Sequence, residues 1–185
     1  SQEQVGELVA LKVGSKDQPV LAKKGDDIRI DWGYLYVAAA GADVAEQQIG
    51  EGEAMKGSFA VNGKLDPSLG APPPATPAGP YAAAMVFPAV KASAQPVTRR
   101  LILAYDDLFS IQYMKKNLRP YRRRNGWEAG DLLKAAAQDY ESLRKRCVAF
   151  DAELMAGLTR SGGGDYAALC ALAYRQSFAA GKFLA

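Results

Sequence analysis

Two adjacent carboxylates, Asp106 and Asp107, are the residues of this chain best suited to proton transfer. They follow residues 98–105, whose alternating pattern predicts a strand, and either one could cap the helix or turn that begins at Leu108. A buried carboxylate with a raised pKa could act as a general base on a water that attacks an amide. Neighbouring strand residues point to opposite faces, however, so the two cannot form an acid–base dyad. Capping by one and pairing with an arginine by the other is therefore the preferred interpretation.

Arg175 and Gln176 are the candidate substrate-binding residues. They interrupt a nearly all-apolar segment, residues 166–185, that predicts a helix. The arginine could hold a carboxylate through two hydrogen bonds, and the glutamine could bind an amide. The alternatives are a buried ion pair with a neighbouring helix, or exposure on the one polar stripe of this helix.

Trp32, Tyr34 and Tyr36 share one face of a predicted strand, because they alternate with polar residues and glycine. If exposed together, they could stack on a sugar ring, as in a glycan-binding module. Core packing is the favoured interpretation, because alternating aromatic residues fill the interior of a sandwich.

The composition excludes several classes of site. The 185 residues include no histidine, which rules out Ser-His-Asp and Cys-His catalytic systems and histidine-ligated zinc within this chain. Two cysteines are too few for a disulfide scaffold or a thiolate metal site. The glycine-rich turn at residues 162–164 lacks the lysine of a phosphate-binding loop. We therefore expect no metal and no cofactor.

Charge differs between the two halves of the chain. Residues 1–94 contain 8 basic and 11 acidic side chains, and residues 95–185 contain 15 and 9. Part of the basic excess is a cluster that could grip phosphates, with Tyr121 and Trp127 beside it: Arg119, Arg122, Arg123 and Arg124. A solvated or carboxylate-paired linker is the favoured interpretation, so nucleic acid is not expected as a partner. No apolar run reaches the length of a membrane span.

The first part of the chain has the pattern of antiparallel β structure. Residues 5–61 are strand-like, with clear alternation over residues 28–37, and eight of the ten prolines fall in residues 67–96, which predicts a surface crossover. Strands resume over residues 81–90. With residues 108–126 as a linker, residues 1–126 form a predicted β-sandwich-like region.

Residues 127–185 predict a helical hairpin. Apolar residues recur every three or four positions after Gly126, and the pattern stops at residues 161–164 before the second helix begins. Since two helices cannot enclose so apolar a second helix, the hairpin is interpreted as the opening of a larger helical domain. In the present chain we expect the second helix to pack on the β region or on a second copy. Cys147 and Cys170 lie at different heights in such a hairpin, which predicts two unpaired, buried thiols. The fold class is α+β.

Four segments resemble the glutaminase A family of microbial secreted proteins. They are Arg29–Tyr36, Leu103–Tyr113 with Leu118–Tyr121, Arg146–Met155 and Leu169–Gln176. The resemblance implies a β-sandwich-like domain followed by a six-helical-hairpin, α/α-toroid-like domain, of which this chain is an internal fragment across the boundary. It also implies hydrolysis of L-glutamine to L-glutamate and ammonia, and a secreted, periplasmic or cell-surface location.

The chain departs from that family at two positions, Arg100 and Gly181, where relatives often carry histidine. Together with the incomplete helical domain, this predicts that the isolated chain is inactive. The alternative is a non-catalytic β-sandwich accessory module that binds a glycan or a partner domain. Several hundred further residues of helical hairpins after Ala185 would favour the enzyme, and a stop codon there would favour the module.

Overall fold

The computed structural model describes residues 1–15, 33–70, 81–179, 181 and 183–184. It divides the chain into two units, Ser1–Asp107 and Leu108–Ala185. Residues 108–126, predicted as a linker, thus belong to the second unit.

The first unit consists of antiparallel strands and one helix. In chain order its elements are β1 Gln2–Val5, β2 Leu8–Ser15, β3 Gly33–Ala40, a 3-10 turn Gly41–Asp43, β4 Glu46–Glu51, α1 Gly52–Asn62, a 3-10 turn Pro67–Leu69, β5 Tyr81–Val86 and β6 Ile102–Asp106. Strands β1, β2, β3 and β6 form a four-stranded sheet in that order, and β4 pairs with β5. All of these pairs are antiparallel.

The core of the first unit lies around the middle of β2 and β3. Leu8 and Ala10 are buried on one face of the sheet, and Leu11 and Ala39 are buried on the other. Both faces of this region are therefore covered, which suits the short apolar side chains found there. The alternation predicted over residues 28–37 is confirmed as strand from Gly33 onward, and residues 28–32 lie outside the described residues.

Helix α1 corrects the prediction of strand-like structure up to residue 61. Glu51 caps its first turn, because its carboxylate accepts hydrogen bonds from the amides of Glu53 and Ala54, at 3.3 and 2.6 Å. At the other end Gly63 adopts a left-handed conformation, with φ of 65°, and its amide bonds the carbonyl of Phe59. The Asn62-Gly63 pair, which resembles a hairpin turn in sequence, is thus a helix C-terminus.

The second unit begins with a small hairpin and continues into a long helix. Its elements are β7 Ile111–Tyr113, β8 Lys116–Leu118, a 3-10 turn Tyr121–Asn125 and α2 Ala129–Ala179. Strands β7 and β8 pair antiparallel through a two-residue turn, Met114-Lys115. Antiparallel sheets followed by a helical segment confirm the predicted α+β class.

The turn between β7 and β8 is strained. Met114 and Lys115 have φ values of 46° and 64°, in the left-handed region that costs an ordinary residue about 1–2 kcal/mol. Glycine adopts this conformation without that cost. Lys115→Gly is therefore expected to raise the free energy of unfolding by about 0.5–1 kcal/mol, measured by urea denaturation. Lys116→Gly, in the adjacent strand position, is the control and should lower stability, and the opposite ranking would contradict the strain.

Helix α2 is broken at Gly163, whose φ of 82° and ψ of −177° are not helical. We call residues 129–162 the first arm and residues 164–179 the second arm. The arms fold back on each other, because the rings of Phe150 and Tyr174 lie 5.8 Å apart. The predicted hairpin and its glycine turn are thus confirmed.

The predicted end of the second helix at residue 185 is wrong, because α2 ends at Ala179. Gly181, a residue type that commonly follows a helix, donates its amide to the carbonyl of Phe178. Leu184 then pairs with Pro120, and the Phe183 carbonyl accepts the amide of Tyr121 at 3.0 Å. Residues 183 and 184 therefore contact residues 120 and 121, where the 3-10 turn that precedes α2 begins. Within the described residues, no helix combines the length and apolarity needed to cross a bilayer.

Candidate functional site

Asp106 and Asp107 lie at the buried end of β6, where they are 4% and 7% exposed. Asp106 stands opposite Tyr34 of β3 in the strand register. The backbone is crowded here, since a Cβ on Gly33 would lie 2.3 Å from the carbonyl oxygen of Asp106. The two aspartates thus belong to a tightly packed sheet end, which favours a structural role over attack on a substrate.

Arg175 and Gln176 lie on the second arm and are both exposed. Their exposure agrees with the alternative of a solvent-exposed position on this helix. An exposed arginine and glutamine on a helix surface do not enclose a substrate.

The aromatic residues of β3 surround Lys12 instead of forming an open platform. The Lys12 ammonium lies 4.3 Å from the ring centre of Tyr34 and 5.5 Å from that of Tyr36, and it pairs with Glu3 at 3.4 Å. Tyr36 is only 4% exposed, which confirms core packing for this residue, and Trp32 lies outside the described residues. A sugar ring therefore cannot stack on Tyr36.

The pKa values of Lys12 and Tyr36 are shifted in directions that oppose acid–base catalysis at neutral pH. Burial raises the pKa of Tyr36, although the hydrogen bond and charge of Lys12 work in the opposite direction. Burial disfavours the charged form of Lys12, but the hydrogen bond to Tyr36 and the charge of Glu3 outweigh it and raise the pKa of Lys12. The lysine stays charged and the phenol stays neutral near pH 7. The contacts of Lys12 with Glu3 and Tyr36 therefore join β1, β2 and β3.

The arginines before α2 serve the local structure. Arg123 is buried and pairs with Glu128, and the Arg124 guanidinium stacks on Tyr121, 3.5 Å from the ring centre. The Arg119 guanidinium lies 5.8 Å from the ring centre of Phe109. These contacts are typical of a paired connecting segment rather than of a phosphate-binding surface.

The two cysteines are unpaired, as predicted, but the expected burial is wrong for Cys147, which is exposed. Cys170 is half-buried. In the part of the chain that the structure describes, no group of three metal-ligating side chains comes together.

The feature that sets the hairpin apart is the unequal length of its arms. At 1.5 Å per residue the first arm is about 50 Å long and the second about 24 Å. The two arms meet around Phe150, whose ring contacts that of Tyr174. Leu133, near the start of the first arm, is fully buried, whereas Tyr140, Leu143 and Cys147 farther along it are exposed, and we call these three residues the open stripe.

The surroundings of the open stripe suit a protein helix as partner. Tyr140 and Leu143 are 40% and 48% exposed. The first arm carries five basic and five acidic side chains, so it presents no excess of charge to a nucleic acid or an anionic membrane. Apolar residues at helical spacing, flanked by charges of both signs, are what helix-to-helix docking requires.

The sequence analysis identified the apolar spacing to which the residues of the open stripe belong, but it expected the uncovered apolar surface to lie on the second helix. That helix is indeed exposed at Leu169 and Leu172. The sequence carries a signal for arms of unequal length, because more residues separate Gly126 from Gly163 than separate Gly163 from Gly181.

Comparison with known proteins gives one family and no function. A family model described as "Domain of unknown function (DUF5127)" matches residues 1–157. No curated protein and no solved structure matches the chain.

Proposed function

We propose that this chain, which belongs to the family of the domain of unknown function DUF5127, is a non-catalytic docking module. The proposal rests on the geometry of the chain itself, because the family description gives no function. In this proposal the helical hairpin receives another amphipathic helix on its open stripe. The exposure of Tyr140 and Leu143 in an otherwise regular apolar stripe is the observation that carries the proposal.

We propose that the next helical hairpin of the same protein supplies that helix. The resemblance to the glutaminase A family supports this arrangement, because the family places a six-helical-hairpin domain after its β-sandwich-like domain. In this proposal the complete protein is a secreted glutamine hydrolase, and the present chain positions its helical domain. In the isolated chain, a second copy of the hairpin occupies the open stripe.

The absence of catalysis in the isolated chain is directly testable. The purified chain is expected to release no ammonia from L-glutamine above a buffer blank, because the chain has no histidine and its two candidate aspartates are packed into a sheet end. Asp106→Asn should instead lower the free energy of unfolding by about 1–3 kcal/mol, since it alters a buried polar group.

Asp43→Asn is the matched control, because the Asp43 side chain is 41% exposed and its ion pair with Arg99 is long, at 3.7 Å. Its effect should stay within about 0.5 kcal/mol. Ammonia release that disappears in Asp106→Asn, while the variant unfolds like the parent chain, would contradict the non-catalytic assignment.

A further inference from the structure

The segment between β5 and β6 is exposed along its length. Residues 88–101 are all exposed, and residues 87–101 contain no helix or strand. Ser93 makes a local contact, because its hydroxyl accepts the amide of Gln95 at 3.2 Å, and Arg99, nearer β6, pairs with Asp43 at 3.7 Å. A stretch of this kind requires no unfolding before another protein can bind its backbone.

Lys91 lies inside this segment, with exposed residues on both sides. Small residues follow it, Ala92, Ser93 and Ala94, so little obstructs an approaching enzyme. Serine endopeptidases of trypsin-like specificity bind their substrates as an extended strand and select a basic residue through a carboxylate at the bottom of a pocket. We propose that the Lys91–Ala92 bond is a site of limited proteolysis by an endopeptidase with this specificity.

The two arginines of the same segment are less suitable. Arg99 pairs with Asp43 across to the 3-10 turn that follows β3. The bond after Arg100 lies only two residues before Ile102, which is already paired with Ala38 in the sheet. A protease would have to detach β6 in order to bind both sides of that bond, whereas both sides of Lys91–Ala92 are available.

The cut is an ordinary hydrolysis. Water adds across the peptide bond, so that Lys91 acquires a carboxylate and Ala92 acquires an amino group. The products are residues 1–91, which contain β1 to β5, and residues 92–185, which begin ahead of β6. Since β6 pairs with β3 from Ile102 to Asp106, the sheet holds the two pieces together after the cut.

Digestion of the native chain by a lysine-specific endopeptidase tests the proposal. Mass spectrometry of the intact fragments should detect residues 92–185, and the cut at Lys91 should be at least about tenfold faster than cuts at Lys134 or Lys145, which lie within α2. Lys91→Gln should abolish this product, and Lys145→Gln should leave it unchanged. A Lys91–Ala92 bond that survives as long as the helical bonds would overturn the proposal.

Size-exclusion chromatography of the cut protein tests whether the sheet holds the two pieces together. The two pieces should elute together without denaturant and separate in urea. Separation without denaturant would show that β6 does not hold them, and it would overturn the claim that the product is a joined, two-piece chain.

Discussion

Leu143→Lys is expected to weaken self-association of the chain strongly. In a two-fold arrangement, each copy loses one leucine of the open stripe, and full burial of such a side chain contributes about 1.5–3 kcal/mol. Because Leu143 is 48% exposed in the single chain, docking buries about half of it, and the loss over both copies is about 1.5–3 kcal/mol, which weakens the dimer about 10- to 100-fold. Sedimentation equilibrium over a dilution series measures this as a shift from a dimer to a monomer.

Ser142→Lys is the matched control, because it adds the same charge one residue away, on the face of the first arm that points away from the open stripe. This variant should associate like the parent chain. Equal weakening by both substitutions would show that added charge alone drives the effect. A parent chain that stays monomeric at high concentration would show that the open stripe does not pair with a second copy.

Leu11→Ala is expected to cause the largest loss of stability in the first unit. Leu11 is fully buried, and truncation of such a leucine costs about 2–5 kcal/mol, because it removes apolar contact and leaves a cavity. On the same face of the sheet its neighbours in β3 are Val37 and Ala39, whose short side chains cannot extend to fill the space. Urea denaturation followed by circular dichroism measures the change.

Leu103→Ala provides the comparison within the same sheet, since Leu103 is 69% exposed. Its cost should stay below about 1 kcal/mol, because its side chain already contacts water. If Leu103→Ala destabilised the chain as much as Leu11→Ala, the assignment of the core to the middle of β2 and β3 would be wrong.

The fold class and the hairpin could be predicted because their signals are local. The alternation of Tyr34 and Tyr36 with smaller residues marks β3, and the apolar spacing after Gly126 marks the first arm. Helix α1 could not be predicted in this way. Its cap is Glu51, an unusual N-cap residue, and its C-terminal Asn62-Gly63 is equally typical of a hairpin turn.

The role of single side chains depended on distant parts of the chain and was harder to predict. Lys12 carries no motif, yet pairing of β2 with β1 and β3 brings it against Glu3 and Tyr36. Burial of Cys147 was predicted from the helical pattern alone. It is exposed, and the helical pattern does not show where the second arm ends, at Ala179.

The reactivity of Cys147 tests the docking role of the hairpin most directly. Its thiol lies on the open stripe and is exposed in the single chain, whereas Cys170 is half-buried. If the open stripe receives a second copy, alkylation of Cys147 should slow as the protein concentration rises through the association range, and in Leu143→Lys it should stay fast. A rate at Cys147 that is the same at every concentration, in a sample that sedimentation shows to be dimeric, would contradict docking through this surface.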